Sequence, residues 1–556
     1  MTVHTAETVA RGRHSSTAVA QYKQKGLWRN EALATKLEEW STIQPGTVAV
    51  SDGDCQYTWL ELKTNSDRFA VALQDLGVEP GDRVHVQLPN WSEFVIVYLA
   101  LARIGAVLVP SMPIYRHEEI AYVLNHSEAK VSIVAGEFRQ FDYPMMLAEI
   151  RDRCPTVRAV VAVRSDPRDG ALSFADLLAS VDEVDASRFG QLPDADATHA
   201  IIYTSGTESR PKGCEHTFNT LSFSAYGLGR DIMGLGPGDV MFMPSPVTHA
   251  TGLVMGVTAP VMLGAAIHLM PVWDPVEALQ RIAQFQCTAS VTATPFVRML
   301  LDARQNESAD LSSLRVWVCA GAPIPESLLQ EWRDTVPTTA LLPLFGCSEG
   351  LIVTSCRFDD PPAKIISSDG RPLPQVRVEI RDEDGQVVPA GQEGEIWHGG
   401  PGLMLGYWRD PDLTDAQIDA SAMKRSGDLG RIDAEGYLRV TGRIKDMIIR
   451  GGTNLSAREI EEHVLSHPKV RAVAVVGYPD VRLGEKACAF VVPSSHDDPP
   501  SLDQLTEYLR AERKIAVQKL PERLELADDL PTTATGKVQK FLLRQQVTAK
   551  LTDEAR

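Results

Sequence analysis

The chain has 556 residues, 44% of them hydrophobic and 23% charged, a balance that excludes a disordered, fibrous or low-complexity protein and calls for at least two domains. A formal net charge of -18 opposes a polyanionic partner, so no nucleic acid is expected, although a local basic site for a nucleotide remains open. The eight cysteines form no C-x-x-C pair, the first residues lack the apolar core of a signal sequence, and no run of about 18 apolar residues occurs, so reduced thiols, no transmembrane segment and a cytoplasmic location are expected.

The first clear unit lies at residues 83–110. Its alternation predicts a strand from Val84 to Leu88, a turn at Pro89-Asn90, an apolar helix from Ser92 to about Ile104 and a strand from Val107 to Pro110, a βαβ pattern. Similar apolar strands are expected at Val131 to Ala135, Val160 to Val163, Ala200 to Tyr203, Ser290 to Ala293 and Val316 to Ala320. The fold class is therefore α/β. From Val376 the texture becomes short strands and tight turns (VRVEIRD, VVPAG, GEIWHGG, GYLRVTG), which predicts antiparallel hairpins. After Arg443 the chain alternates again, with a helix near Ala457 to Leu465, strands at Val470 to Val476 and Ala487 to Val492, and a helix opening at Ser501. These predict a large N-terminal domain, residues 1–444, and a small α+β domain, residues 445–556.

Three segments carry candidate chemistry. YTSGTESRPKG, Tyr203 to Gly213, follows an apolar strand directly, and its small hydroxyl and glycine residues would let backbone N–H groups approach phosphate oxygens, with Lys212 or Arg210 adding positive charge. It is not a Walker loop, because Pro211 precedes Lys212 and no hydroxyl residue follows it. Gly346-Cys347-Ser348-Glu349-Gly350 satisfies the G-x-S-x-G pattern of a hydrolase, so a serine hydrolase using Ser348 stays open at this point. Gly536-Lys537 lacks both the leading glycine and the trailing hydroxyl of a kinase loop.

Taken in order, YTSGTESRPKG, the His249-x-x-Gly252 pair, AGAP at Ala320, FGCSEG at Phe345, GEIWHGG at Gly394, GYW at Gly406, SGD at Ser426, GRIKDMIIRGGTN at Gly442 and PTTATGK at Pro531 resemble the adenylate-forming superfamily of acyl-CoA synthetases, nonribosomal-peptide adenylation domains and firefly-type luciferases. The resemblance implies a large domain of α/β layers with a distorted β-barrel subdomain and a small mobile C-terminal lid. It places Thr204, Ser205, Gly206, Thr207 and Lys212 on the phosphates of ATP, Ala320, Gly321 and Ala322 beside the adenine, and Phe345 next to them. Ser348 matches a contact to the α-phosphate, and Glu349 a ligand of Mg²⁺. Asp428 and Arg443 match ribose contacts, Lys537 the catalytic lysine, Lys445 the hinge, and Gly451 and Gly452 the loop along a thiol tunnel. The sequence departs from the family pattern at Glu208 and Ser209 in the loop, at Phe345 and at Thr248; a carboxylate beside a triphosphate is unfavourable unless it faces away or binds metal.

The stretch Pro244 to Gly252 carries no acidic residue to pair with an ammonium group, which implies a substrate without an α-amino group. The matching acyl pocket comprises His249, Thr251, Gly252, Met255 and Leu344, mostly apolar, and fits an aryl, alicyclic or medium-chain acid. The resemblance thus implies ATP-dependent formation of an acyl-AMP followed by transfer to the thiol of coenzyme A, with a carrier protein acting in trans as the alternative acceptor. A nucleotide sensor without catalysis is the remaining class.

Overall fold

The computed structural model describes residues 14–554 except 54, 205–209, 323 and 534–535. The βαβ unit forms as a strand at Arg83–Gln87, a helix at Ser92–Ile104 and a strand at Val107–Pro110, with Val84 paired in parallel to Leu108. The helix is buried on almost every side, which is why its sequence reads as apolar rather than amphipathic. Gly105, at φ 71°, closes it in the left-handed conformation.

That unit seeds an eight-stranded sheet in which Arg83–Gln87, Val107–Pro110, Val131–Ala135 and Ala159–Val163 run parallel. Thr198–Thr204 joins the same sheet and turns back as an antiparallel hairpin into Lys212–Thr217. A second, nine-stranded sheet has a parallel centre of Val240–Met243, Ala266–Leu269, Ala289–Ala293, Val316–Ala320 and Ala340–Cys347. Between its helices lies an aromatic core in which Trp332, 1% exposed, packs edge-on against Trp317 with ring centroids 5.6 Å apart and donates its indole N–H to the Thr339 carbonyl at 2.9 Å. Trp332→Ala should lower stability by about 3–5 kcal/mol, read from the urea midpoint at constant slope, because it opens a cavity and strands a carbonyl.

The segment expected to be barrel-like is an antiparallel four-stranded sheet, Arg377–Arg381, Gly394–Gly399, Lys424–Ile432 and Leu438–Arg443 in that order. VVPAG contributes only an isolated bridge, Val387 to Arg381. A short 3-10 turn at Ile444–Asp446 leads out of this sheet. Beyond it a five-stranded sheet is built around the antiparallel pair Val470–Asp480 and Gly484–Pro493. Its helices start where the sequence supplies caps: Ser456 for Ala457–Leu465, and Ser501 with Gln504 in a capping box for Leu502–Ala511. Among the described residues no helix is long and apolar enough to cross a membrane.

Candidate functional site

A cavity of about 440 Å³ opens where the parallel strands of the nine-stranded sheet end. Ala293, Ala320 and Cys347, the last residues of their strands, all line it, so it occupies the crevice outside the carboxyl ends of a parallel sheet, where α/β folds place ligands. Thr204 and Lys212 reach the same cavity from the two sides of the hairpin, where they are cross-strand partners. Ser205, Gly206, Thr207 and Glu208 lie outside the described residues. The antiparallel hairpin also explains why the segment is no Walker loop, which needs a helix after the turn.

Ser348 and Glu349 sit in the tight turn between strands Ala340–Cys347 and Leu351–Ser355. A nucleophile elbow requires a strand-to-helix turn. Here the chain returns as an antiparallel strand, and His216 Nε2 lies 2.8 Å from the Ser348 carbonyl oxygen. The hydrolase alternative is thereby overturned.

Glu349 lines the cavity with a structured support behind it. Tyr407 donates its hydroxyl to Glu349 Oε1 at 2.8 Å, and the ammonium of Lys424, whose side chain is 4% exposed, stands 3.6 Å from the same oxygen. Burial works to raise this carboxyl, but Lys424 and the Tyr407 hydrogen bond outweigh it and hold the group down at about 2. An ionised carboxylate at the cavity wall is thus available at any physiological pH. Among the described residues no group of three His, Cys, Asp or Glu side chains converges to hold a metal. A single carboxylate fits Mg²⁺ that is shared with nucleotide phosphates, since this ion keeps most of its water and takes one or two carboxylates.

The C-terminal unit closes the other side. Thr532 and Val538 bridge across a loop in which the Thr533 N–H donates to the Lys537 carbonyl at 2.8 Å and the Lys537 N–H donates to Thr533 Oγ1 at 3.1 Å, and Lys537 faces the cavity. Gly536, at φ 81°, docks on the large domain, and a Cβ there would stand 3.0 Å from Pro295 Cγ. By surface area Lys537 is an exposed residue on the cavity wall. The crowding of protein atoms around it and then the Arg443 guanidinium lower its ammonium from the usual lysine range, against the opposing pull of Asp428. Arg443 Nε in turn pairs with Asp428 Oδ1 at 2.8 Å across neighbouring strands, and Arg443 lines the cavity together with Lys445. Arg544 anchors the turn at the junction by donating to the Lys445 carbonyl at 3.0 Å and to Asp446 Oδ1 at 2.8 Å.

On the uncharged side, His249, Thr251 and Leu344 line the cavity. His249 is pushed down to about 4, by burial and then by Lys537, so it is a neutral ring there. Gly252 and Met255 do not line the cavity, and Val254 does. Residues Gly252–Thr258 form a π-helix, whose wider turn moves the inward-facing position away from the one a 3.6-residue period gives, and Met255 is fully buried behind it. Gly252 serves close packing, since a Cβ there would lie 2.1 Å from the Pro246 carbonyl oxygen. Phe345 also points away. It packs against Ile380, Ile396 and Leu438, while its strand neighbours Leu344 and Gly346 face the cavity by simple alternation. Gly321 lines the cavity and Ala322 does not; the Ala322 carbonyl accepts from Thr294 Oγ1 at 3.3 Å. Gly451 and Gly452 form an exposed two-residue turn away from the cavity in this position of the lid. Sequence reasoning missed Lys424 and left Tyr407 without a role, although it lies in the GYW segment.

A family profile described as AMP-binding enzyme matches residues 37–408, and one described as AMP-binding enzyme C-terminal domain matches residues 459–537. The chain is 35% identical to the medium-chain fatty-acid–CoA ligase of Escherichia coli (strain K12), over 96% of this chain and 94% of that protein. It is 30% identical to the 2,3-dihydroxybenzoate-AMP ligase of Bacillus subtilis (strain 168), over 95% of this chain and 96% of the other. Among solved structures, the anthranilate CoA ligase AuaEII in complex with anthranoyl-AMP superposes with a TM-score of 0.84 at 27% identity, covering 94% of this chain and 98% of that one.

Proposed function

The chain belongs to the AMP-binding enzyme family, and from that premise we propose that it joins a carboxylic acid without an α-amino group to coenzyme A through an acyl-AMP. The observation that carries this reading is the convergence of Lys212, Glu349, Arg443 and Lys537 on one cavity at the carboxyl ends of a parallel sheet. ATP and coenzyme A are substrates of AMP-forming ligases, and the finer assignments to residues are ours.

In this reading Thr204 and Lys212 hold the phosphates, Ser348 meets the α-phosphate, and Arg443 with Asp428 takes the ribose. Lys537 bridges the attacking carboxylate and the α-phosphate oxygens, a charge-stabilising task that a point charge on a flexible stem performs only while the lid is closed. Glu349 would hold Mg²⁺, which when bound neutralises charge as pyrophosphate leaves. Glu349→Gln should therefore lower acid-dependent pyrophosphate exchange about 10–100-fold and raise the Mg²⁺ concentration needed for half-maximal rate, measured by titrating the metal at fixed ATP. The unit boundary is set at Lys445, about which the lid turns to withdraw Lys537 and bring Gly451-Gly452 to the thiol. The reaction is placed in the cytoplasm, a reading supported by scattered cysteines that form no disulfide among the described residues.

The acid is aryl, alicyclic or medium-chain. Support comes from the apolar wall formed by Pro246, Val254, Val291, Phe296 and Leu344, and from acidic lining groups that already have cationic partners, Glu349 with Lys424 and Asp446 with Arg544. Among the described residues no carboxylate is left on that wall to receive an ammonium. A second reading, an acid–AMP ligase that loads a carrier protein, is favoured by the similarity to the 2,3-dihydroxybenzoate-AMP ligase. The test is a panel of aryl, alicyclic and C4–C12 acids with ATP and Mg²⁺, using hydroxylamine and then coenzyme A as acceptor. Thioester formation with coenzyme A supports the first reading. Adenylate that only hydroxylamine consumes supports the second, and no turnover with any acid overturns both.

A further inference from the structure

Lys424 is a lysine almost wholly removed from water, its side chain only 4% exposed, at the start of the strand Lys424–Ile432 that also carries Asp428. Buried lysines are rare and costly unless a charge compensates them. The compensating group here is Glu349, 3.6 Å away, while one of the ammonium protons is taken by the Arg425 carbonyl at 2.8 Å. Tyr407 donates to the same Glu349 oxygen at 2.8 Å, so a hydrogen bond and the nearby ammonium both address Oε1 from behind. Cys214 and Cys347 flank the pair, His398 Nε2 lies 3.5 Å from the Cys347 sulfur, Asp428 acts on Lys424 from the same strand, and Lys212 lies over the Tyr407 ring at 5.8 Å. The strand carrying Lys424 is held in register by pairing with the one that carries His398, opposite it.

An unpaired carboxylate in this position would attract a divalent cation on its own and would repel an arriving triphosphate. With Lys424 in place the carboxylate belongs to an overall neutral pair. We propose that Lys424 is a positioning residue that fixes and neutralises Glu349, so that the nucleotide-free enzyme holds no divalent metal and the metal enters only together with nucleotide phosphates. The inference rests on Glu349 being the metal-side carboxylate of the proposed reaction. It adds a dependence: metal binding requires bound nucleotide.

The probe is Mn²⁺ alone, followed by electron paramagnetic resonance of the free ion, with the full-length enzyme in the absence and presence of ATP. Wild-type enzyme without nucleotide should leave the Mn²⁺ signal unchanged at millimolar metal, and with ATP present Mn²⁺ should be retained with the enzyme beyond what an enzyme-free ATP control binds. Lys424→Met should bind Mn²⁺ without nucleotide roughly tenfold or more tightly than wild type and raise the KM for ATP by a similar factor. Lys424→Arg should behave as wild type in both. Stoichiometric Mn²⁺ binding by nucleotide-free wild-type enzyme overturns the inference, and this arm needs no variant to fold. A folded Lys424→Met enzyme with wild-type Mn²⁺ behaviour and wild-type KM overturns it as well. If Glu349→Gln leaves the Mg²⁺ dependence of exchange untouched, the underlying reading of Glu349 fails; if Glu349→Gln alters that dependence while Lys424→Met alters nothing, only the present inference fails.

Discussion

Lys537→Ala should lower acyl-adenylate formation by about 10²–10³-fold while leaving thioester formation from supplied acyl-adenylate largely intact. The expectation follows from where the lysine sits. It is delivered to the cavity by a loop of the small domain, whose seat on the large domain is the contact of Gly536 with Pro295. It faces the same space as Glu349 and Arg443. A group brought in by a lid stabilises only the charge that develops while the lid is closed. In the proposed reaction thioester formation uses the other lid position, so it should not depend on Lys537. Single-turnover rates of the two half-reactions, measured separately, decide the matter, and equal loss in both would contradict the assignment.

The fold should also be acid-labile. His85, His216 and His268 are fully buried and His398 is 1% exposed. Burial lowers them from 6.5 to about 3 for His85, His268 and His398 and to about 4 for His216. His85 hydrogen-bonds Ser132 and His268 hydrogen-bonds Ser51, while Arg281 beside His268 and Lys424 near His398 further oppose a charged ring. A base whose folded pKa is depressed binds its proton first in the unfolded chain, so below pH 6.5 the unfolded state gains protons that the folded state refuses. Each such ring then costs about 1.4 kcal/mol of stability per pH unit until its folded value is reached. Four of them, over the two units below 6.5, approach the roughly 5–15 kcal/mol by which domains are stable. Thermal midpoints should therefore be level above pH 7 and fall steeply from pH 6 to 4.5. A flat profile across that range would show these rings to be protonated in the folded protein.

Much of the fold was legible because its elements obey simple periods. The run from Arg83 to Pro110 alternates, then turns apolar through the helix and the final Val107-Leu108-Val109, and forms a strand, a core helix and a parallel strand. Ser456 and Ser501 mark helix starts in the sequence and cap them in the structure. The site was legible to the extent that its residues fall in contiguous segments, as Ser348-Glu349 and Gly536-Lys537 do. What escaped has a physical cause in each case. Met255 was carried over with the family's pocket segment, whereas the π-helix Gly252–Thr258 puts Val254 on the cavity wall. Phe345 was carried along with its motif although strand alternation turns it to the opposite face. Lys424 looks like any surface lysine in one dimension. Only the pairing of its strand with the one carrying His398, and the turn that brings Glu349 beside it, reveal it as buried.

The most direct test of the central claim is acid-dependent exchange of labelled pyrophosphate into ATP by the full-length enzyme with Mg²⁺. Exchange that requires an aryl, alicyclic or medium-chain acid, and that Lys537→Ala removes, is the predicted result. Enzyme that binds ATP yet catalyses no exchange with any acid in the panel would contradict acyl-adenylate formation and return the chain to a nucleotide-binding role without catalysis.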